Sequence, residues 1–342
     1  MGEIMKVVVV GVGRMGRRHV QVARELGLSL VGICDQSPEA LKMCQQENNV
    51  SSDRHYSSVE KMLKETHPDC VIVATTSPMH CEYTCLAADY GAHYILCEKP
   101  MAISLAQCNQ MITVCKQHDA FLAINHQMRF MEQYTEPKTI INSDTFGGLN
   151  SVTVVGGNIG MAMNGTHYFE MFRYMTDESP REVTAWFSYE KVPNPRGPQF
   201  EDRAGSVRIT TANGKRFFMD ISADQGHGIK VIYTGKYGQI VVDELKGEMF
   251  LSVRKEEERN LPTTRYGCAS LNTVKNILPA DATAPTKSVL DALIHKDNYP
   301  TGEDGRLAVA TLVAAYCSHE KGHKSVINDE ENLPVEREFP WA

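Results

Sequence analysis

The chain has 342 residues, 42% of them hydrophobic and 23% charged, with a formal net charge of -7. That length calls for about two domains with substantial cores, and mild acidity without a basic block argues against a nucleic-acid partner. No apolar run reaches membrane-spanning length and no signal-like segment precedes the first strand, so a cytoplasmic protein with no membrane partner is expected.

The first element is the run Val7 to Gly16, VVVVGVGRMG. Four valines suit a strand buried on both faces of a parallel sheet. Gly11, Gly13 and Gly16 follow as G-x-G-x-x-G, and a helix is predicted over Arg14 to Leu26. Gly11 permits the turn, Gly13 lets backbone approach a pyrophosphate, and Gly16 lets helix and strand pack closely. The helix N-terminus, with Arg14 and Met15, offers N–H groups and a positive dipole end to phosphate. A second apolar run, Leu28 to Cys34, ends in Asp35, 19 residues past Gly16. There an acid takes the ribose 2′-hydroxyl, so the cofactor expected is NAD.

Ser37 and Pro38 open a helix through about Asn48, and Arg54 to Tyr56 is a short strand. Ser57 or Ser58 caps the next helix. CVIVA at 70–74 is the fourth buried strand and ends in Thr75, Thr76, Ser77 and Pro78. Met79 to Tyr90 reads as a helix closed by Gly91, Tyr94 to Cys97 as the fifth strand, Ser104 to His118 as a helix, and Phe121 to Ile124 as the sixth strand. Alternation of this kind predicts a doubly wound parallel sheet, with ligands at the carboxyl ends of the strands. Thr75 to His80 and Glu98-Lys99-Pro100 therefore share a rim with the glycine turn. The first domain is drawn as 1–124 and the second as 125–342.

The second domain opens with a helix over Met131 to Asn142, a strand over Val152 to Gly157 and a helix over Thr166 to Tyr174. Six alternating segments follow: Val183 to Tyr189, Gly205 to Thr211, Arg216 to Ile221, Ile229 to Thr234, Gly238 to Val242 and Glu248 to Val253. They predict an antiparallel sheet whose outer face packs on a second subunit. The run PNPRGP at 193–198 reads as an exposed loop. Lys287 to His295 and Asp304 to Glu320 read as helices, the latter placed to pack back on the first domain. Ten cysteines occur without a C-x-x-C pair, although Cys81 and Cys85 have helical i, i+4 spacing. They read as reduced, packed thiols, with no metal site.

Five motifs coincide with one family: GVGRMG at 11–16, TTSPMH at 75–80, EKP at 98–100, GTHYFEMFRYM at 165–175, and the helix EDGRLAVATLVAAYCSHEKG at 303–322. Together the chain resembles the glucose–fructose oxidoreductase and inositol dehydrogenase family. The resemblance implies an α/β fold: a Rossmann doubly wound parallel sheet plus an α/β domain with a large, mostly antiparallel open sheet. It implies NAD-dependent hydride transfer on a sugar or nucleotide-sugar, and a homodimer or homotetramer joined through the open sheet.

Hydride transfer from a secondary alcohol needs a base for the hydroxyl proton and a donor or cation for the oxygen charge. Lys99 is the candidate for the second task and His167 for the first, and the two are expected to reach one pocket beside the nicotinamide. Glu98 pairs with Lys99 or reaches toward the cofactor, and the Lys99–Pro100 peptide is a candidate cis bond. Thr75, Thr76, Pro78 and His80 are read as cofactor contacts, His80 also as an ordinary helix-start residue. His126, Asn164 and Arg129 are substrate candidates; Arg129 either clamps an anionic group or bridges domains. The family's D-x-x-x-H pattern is broken here, because Met163 stands four residues before His167. A non-catalytic NAD-binding regulator or scaffold, and an NAD-using glycosidase, are the alternatives.

Overall fold

A computed structural model describes residues 4–157, 159–192, 194, 196–222, 224–226, 228–262 and 269–342, with the side chains of 190–192 left aside. Pro193 and Pro195 of the expected proline-rich loop lie outside the described residues.

The first half alternates without exception. It runs β1 (Lys6–Val10), α1 (Arg14–Glu25), β2 (Ser29–Cys34), α2 (Pro38–Asn48), β3 (His55–Tyr56), α3 (Val59–Thr66), β4 (Cys70–Val73), α4 (His80–Asp89), β5 (Tyr94–Cys97), α5 (Leu105–Gln117) and β6 (Phe121–Ile124). All six strands are parallel, in the order β3-β2-β1-β4-β5-β6. The caps are those the sequence spells. Ser37 accepts from the Ala40 N–H with Pro38 next to it, Ser58 accepts from Lys61, and Ser104 from Gln107. The four valines of β1 are fully buried.

The second half runs α6 (Glu132–Ile141), β7 (Leu149–Gly157), α7 (Thr166–Thr176), β8 (Pro180–Val192), β9 (Asp202–Thr211), β10 (Arg216–Ser222), β11 (Lys230–Gly235), β12 (Gly238–Asp243), β13 (Glu248–Arg254) and β14 (Ser270–Asn276). Then come α8 (Thr283–His295), α9 (Gly302–Glu320) and β15 (Val326–Ile327). The nine-stranded sheet has the order β14-β13-β12-β11-β7-β10-β9-β8-β15 and is antiparallel except where β7 meets β10. One face is covered by α7, whose Phe169 and Phe172 meet Phe217 with ring centroids 6.0 and 5.4 Å apart.

The chain divides into two compact units. The first holds residues up to Gln127 and also 282–309 and 335–342; the second holds Met128–Asp281 and Ala310–Pro334. The sequence reading drew one boundary at 124/125, with the helix Asp304 to Glu320 placed to pack back on the first domain; the first unit takes both 282–309 and 335–342. In the first unit, α8 packs on α1. The C-terminal residues thread between the rim loops: Trp341 is fully buried, its indole N–H donates to the Ala102 carbonyl at 3.0 Å, and its own carbonyl accepts from the Ser77 hydroxyl at 3.0 Å. Among the described residues, nine cysteines are buried, and no helix is long and apolar enough to cross a membrane. Trp341→Ala should cost about 3–5 kcal/mol, the scale for emptying a large aromatic site, read from denaturant unfolding.

Candidate active site

The glycine turn follows β1, beside the point where strand order reverses between β1 and β4. Such a switch point opens a crevice at the carboxyl ends of the strands. Gly11 has φ 83°, and a Cβ there would lie 2.8 Å from the Ala74 carbonyl carbon and oxygen. A Cβ on Gly16 would lie 1.9 Å from the Gly11 oxygen, whereas one on Gly13 would meet nothing within 4 Å. Two glycines are thus demanded by packing, and the third leaves the exposed approach open. Gly13 is also the N-cap of α1 and offers no side-chain cap, so the helix dipole faces the crevice unscreened. Arg14 is exposed beside it and Met15 half-buried. These residues fit the pyrophosphate of a dinucleotide.

Asp35, half-buried, does structural work as well. Its Oδ2 accepts from the Val12 N–H at 2.8 Å and its Oδ1 from the Ser37 N–H at 2.9 Å. The carboxylate therefore joins the end of β2 to the glycine turn, and its remaining lone pairs suit a ribose diol. Across the crevice Thr75, Thr76 and Pro78 are half-buried, with Pro78 in the 3-10 turn Ser77–Met79. His80 is buried. Its Nδ1 lies 2.9 Å from the Pro100 carbonyl oxygen and its Nε2 3.2 Å from that of Thr75. The structure places it as a brace between the two rim segments.

Lys99 is half-buried just past β5, with a cis peptide to Pro100. Glu98 turns inward and is 3% exposed. Its Oε1 accepts from His19 Nε2 at 2.7 Å and Asn125 Nδ2 at 2.8 Å, and its Oε2 accepts from the Lys99 N–H at 3.3 Å. Burial alone would raise its pKa, but the His19 bond and charge, the Lys99 ammonium and Asn125 outweigh this and hold it at about 2. His19 and Asn125 are site neighbours that the sequence reading did not single out. His126 is buried one residue further on.

In the second unit a π-turn, Met161–Gly165, leads into α7. It carries Asn164, half-buried, and His167 follows at the second position of α7, 7% exposed. The turn is held by Asp202 of β9, whose carboxylate accepts from the Ala162 N–H at 2.8 Å and the Met163 N–H at 3.0 Å. Arg129 is committed within this unit: its guanidinium pairs with buried Glu170 on α7 and lies 4.8 Å from the Tyr174 ring centroid. Arg173 reaches the same Glu170 oxygen at 3.3 Å. Glu244, next to the end of β12, accepts from the hydroxyls of Tyr134 and Tyr168. Among the described residues no cluster of three or more metal-ligating groups occurs.

A Rossmann sheet with a glycine turn, an acid at the end of β2 and a lysine past β5 defines an NAD-binding oxidoreductase domain. Comparison with known proteins agrees. Residues 5–126 match the model of the GFO/IDH/MocA family, described as an oxidoreductase family with an NAD-binding Rossmann fold. A myo-inositol 2-dehydrogenase of Thermotoga maritima is 23% identical over 93% of this chain and 97% of its own length. Two solved structures share the fold. Levoglucosan dehydrogenase, in complex with NADH and levoglucosan, has TM-score 0.78, 18% identity, and coverage of 96% of this chain and 100% of its own. Scyllo-inositol dehydrogenase of Lactobacillus casei, with NAD(H) and scyllo-inositol, has TM-score 0.72, 17% identity, and coverage of 95% and 99%. The expected resemblance and fold class are borne out, and NAD is the cofactor.

Asp35→Ala should narrow a preference for NAD over NADP of at least about tenfold while leaving NAD binding measurable, as read by calorimetry. A second expectation concerns Glu244, which burial, opposed by the two tyrosines and reinforced by Asp243, pushes up to about 7. A carboxyl raised above its unfolded value favours the fold at low pH. Its contribution falls away as pH rises from the unfolded value of about 4.5 through about 7. Glu244→Gln should therefore gain melting temperature relative to wild type as pH rises across that window.

Proposed function

We propose that the protein is an NAD-dependent dehydrogenase that oxidises a secondary hydroxyl of a sugar or nucleotide-sugar, or reduces the matching ketone. The observation that carries this reading is Lys99 at the carboxyl end of β5, backed by the buried, ionised Glu98 on the rim of the glycine turn. The names of the similar proteins support a polyhydroxylated ring as substrate. NAD, when bound, supplies the hydride acceptor. Lys99 holds the reacting oxygen and stabilises the charge that develops on it. His167 takes the hydroxyl proton and passes it to solvent. Asn164 and His126 hydrogen-bond neighbouring hydroxyls. The buried thiols support a reducing, cytoplasmic location.

Assembly as a homodimer or homotetramer is part of the proposal. Strand register lines up one row on the outer face of the open sheet: Val274 opposite Phe250, then Val241, Ile232, Thr153 and Phe218. Phe250 is 39% exposed, Phe218 38% and Val274 66%. The adjoining row passes through Asp220, Lys230, Asp243 and Glu248. An apolar band with a polar margin suits a self-complementary interface. Light scattering at micromolar concentration should give a multiple of the chain mass, and Phe218→Asp should shift it toward one chain. A single-chain mass for the wild type overturns the assembly.

NADH formation with inositols, free aldoses and UDP-sugars tests the activity, and release of free sugar without net NADH would instead indicate glycosidase chemistry. Lys99→Ala should lower turnover by at least about 10²-fold with NAD affinity little changed. His167→Ala should act similarly, and the double variant should be little worse than either, as for groups that act as a unit. Binding of NAD without turnover of any substrate would favour the regulator or scaffold.

A further inference from the structure

α1 buries the stripe Gly16, His19, Val20 and Ala23, the i, i+3, i+4, i+7 face that packs on the sheet. An aliphatic side chain is the default at such a position. His19 is instead fully buried there. Its Nδ1 has no partner among the described residues, so a ring kept only to fill space would bury a polar atom at a loss. Its Nε2 meets Glu98 at 2.7 Å. That bond is the compensation.

We propose that His19 is a positioning residue for Lys99, holding the buried Glu98 carboxylate in the orientation from which it anchors the Lys99 backbone. The inference rests on the reading above, in which Lys99 works on the substrate hydroxyl.

The groups around Glu98 are few. His19 approaches from α1, Asn125 from the end of β6, and Lys99 and Cys97 are its chain neighbours. Asn125 is itself steadied from α8, with its Nδ2 3.4 Å from the Thr286 hydroxyl. Both side-chain donors converge on Oε1, which leaves Oε2 to accept from the Lys99 N–H. An ionised carboxylate with 3% exposure survives only while such donors are in place. Without His19, burial pushes the carboxyl up, and it takes on a proton as pH falls. A neutral Glu98 exerts no pull on the Lys99 ammonium. Because α1 also carries the phosphate-facing turn, His19 ties the cofactor helix to the reacting lysine.

The test compares His19→Leu with His19→Gln, since the Gln amide can still donate to Glu98. His19→Leu should lower kcat by about tenfold to a hundredfold, the cost of a misplaced group, with NAD affinity within about threefold. His19→Gln should recover most of that loss. The acid limb of the kcat–pH profile should move to higher pH in the Leu variant and much less in the Gln variant. Equal losses in both variants, an unchanged kcat in the Leu variant, or a loss confined to NAD affinity would each overturn the proposal. One readout is independent of turnover. Neither variant titrates at position 19, so the melting-temperature gap between them reports Glu98 ionisation and should widen from about pH 5 to about pH 8. A constant gap overturns the His19–Glu98 link. If the wild type oxidises no polyol, the proposed function fails, and the melting comparison then decides that link by itself. Should the Leu variant not fold, His19→Asn, whose amide ends short of Glu98, takes its place.

Discussion

Helix α1 can lie where it does because no side chain stands between Gly16 and the Gly11 carbonyl, 1.9 Å from where a Cβ would sit. Gly11 in turn presses on the Ala74 backbone. These contacts fix α1, the end of β1 and the end of β4 as one rigid corner. The remaining rim is hung from it: Asp35 bonds to the turn at Val12, His80 links Thr75 to Pro100, and His19 reaches from α1 to Glu98. A larger residue at 11 or 16 would displace a helix, and with it the groups on either side of the crevice.

Within each unit, charge is buried with its partners in place. Glu98 has His19 and Asn125, Glu170 has Arg129 and Arg173, Asp202 has two backbone N–H groups, and Glu244 has two tyrosine hydroxyls. The difference in partners sets the difference in acidity. The His19 ring, the Lys99 charge and the Asn125 amide hold Glu98 at about 2, while two tyrosine hydroxyls leave Glu244 near 7. Such arrangements add little net stability over an apolar core, but they fix orientation. Orientation is what a site on a rim requires.

The cofactor half was legible in the sequence because backbone shape recognises a dinucleotide, and glycine, serine caps and apolar runs spell backbone shape locally. Every strand and helix of the parallel sheet is found within a few residues of its predicted bounds. The second half was legible as strands and less as a site. Strand β14, SLNTVKN, is exposed along its whole length and so carries no alternating pattern. The return of 335–342 to the first unit left no local mark, because contacts such as Ser77 with Trp341 span 264 residues. Arg129 read equally well as an anion clamp, and its partner Glu170 lies 41 residues away. His19 looked like one more residue of a helix. Its spacing of three from Gly16 put it on the buried face, and that was the available signal.

Met163 raises a similar point about reading motifs. A local pattern asks for an acid four residues before His167, and the chain has a methionine. Yet a carboxylate does sit at that backbone. It comes from Asp202, 39 residues on, which accepts the Met163 N–H and occupies the space a side chain at Gly160 would need. Negative charge at the N-terminal end of the segment leading into α7 is favourable for the same reason that an N-cap is. The carboxylate found at that backbone comes from another strand and holds the turn.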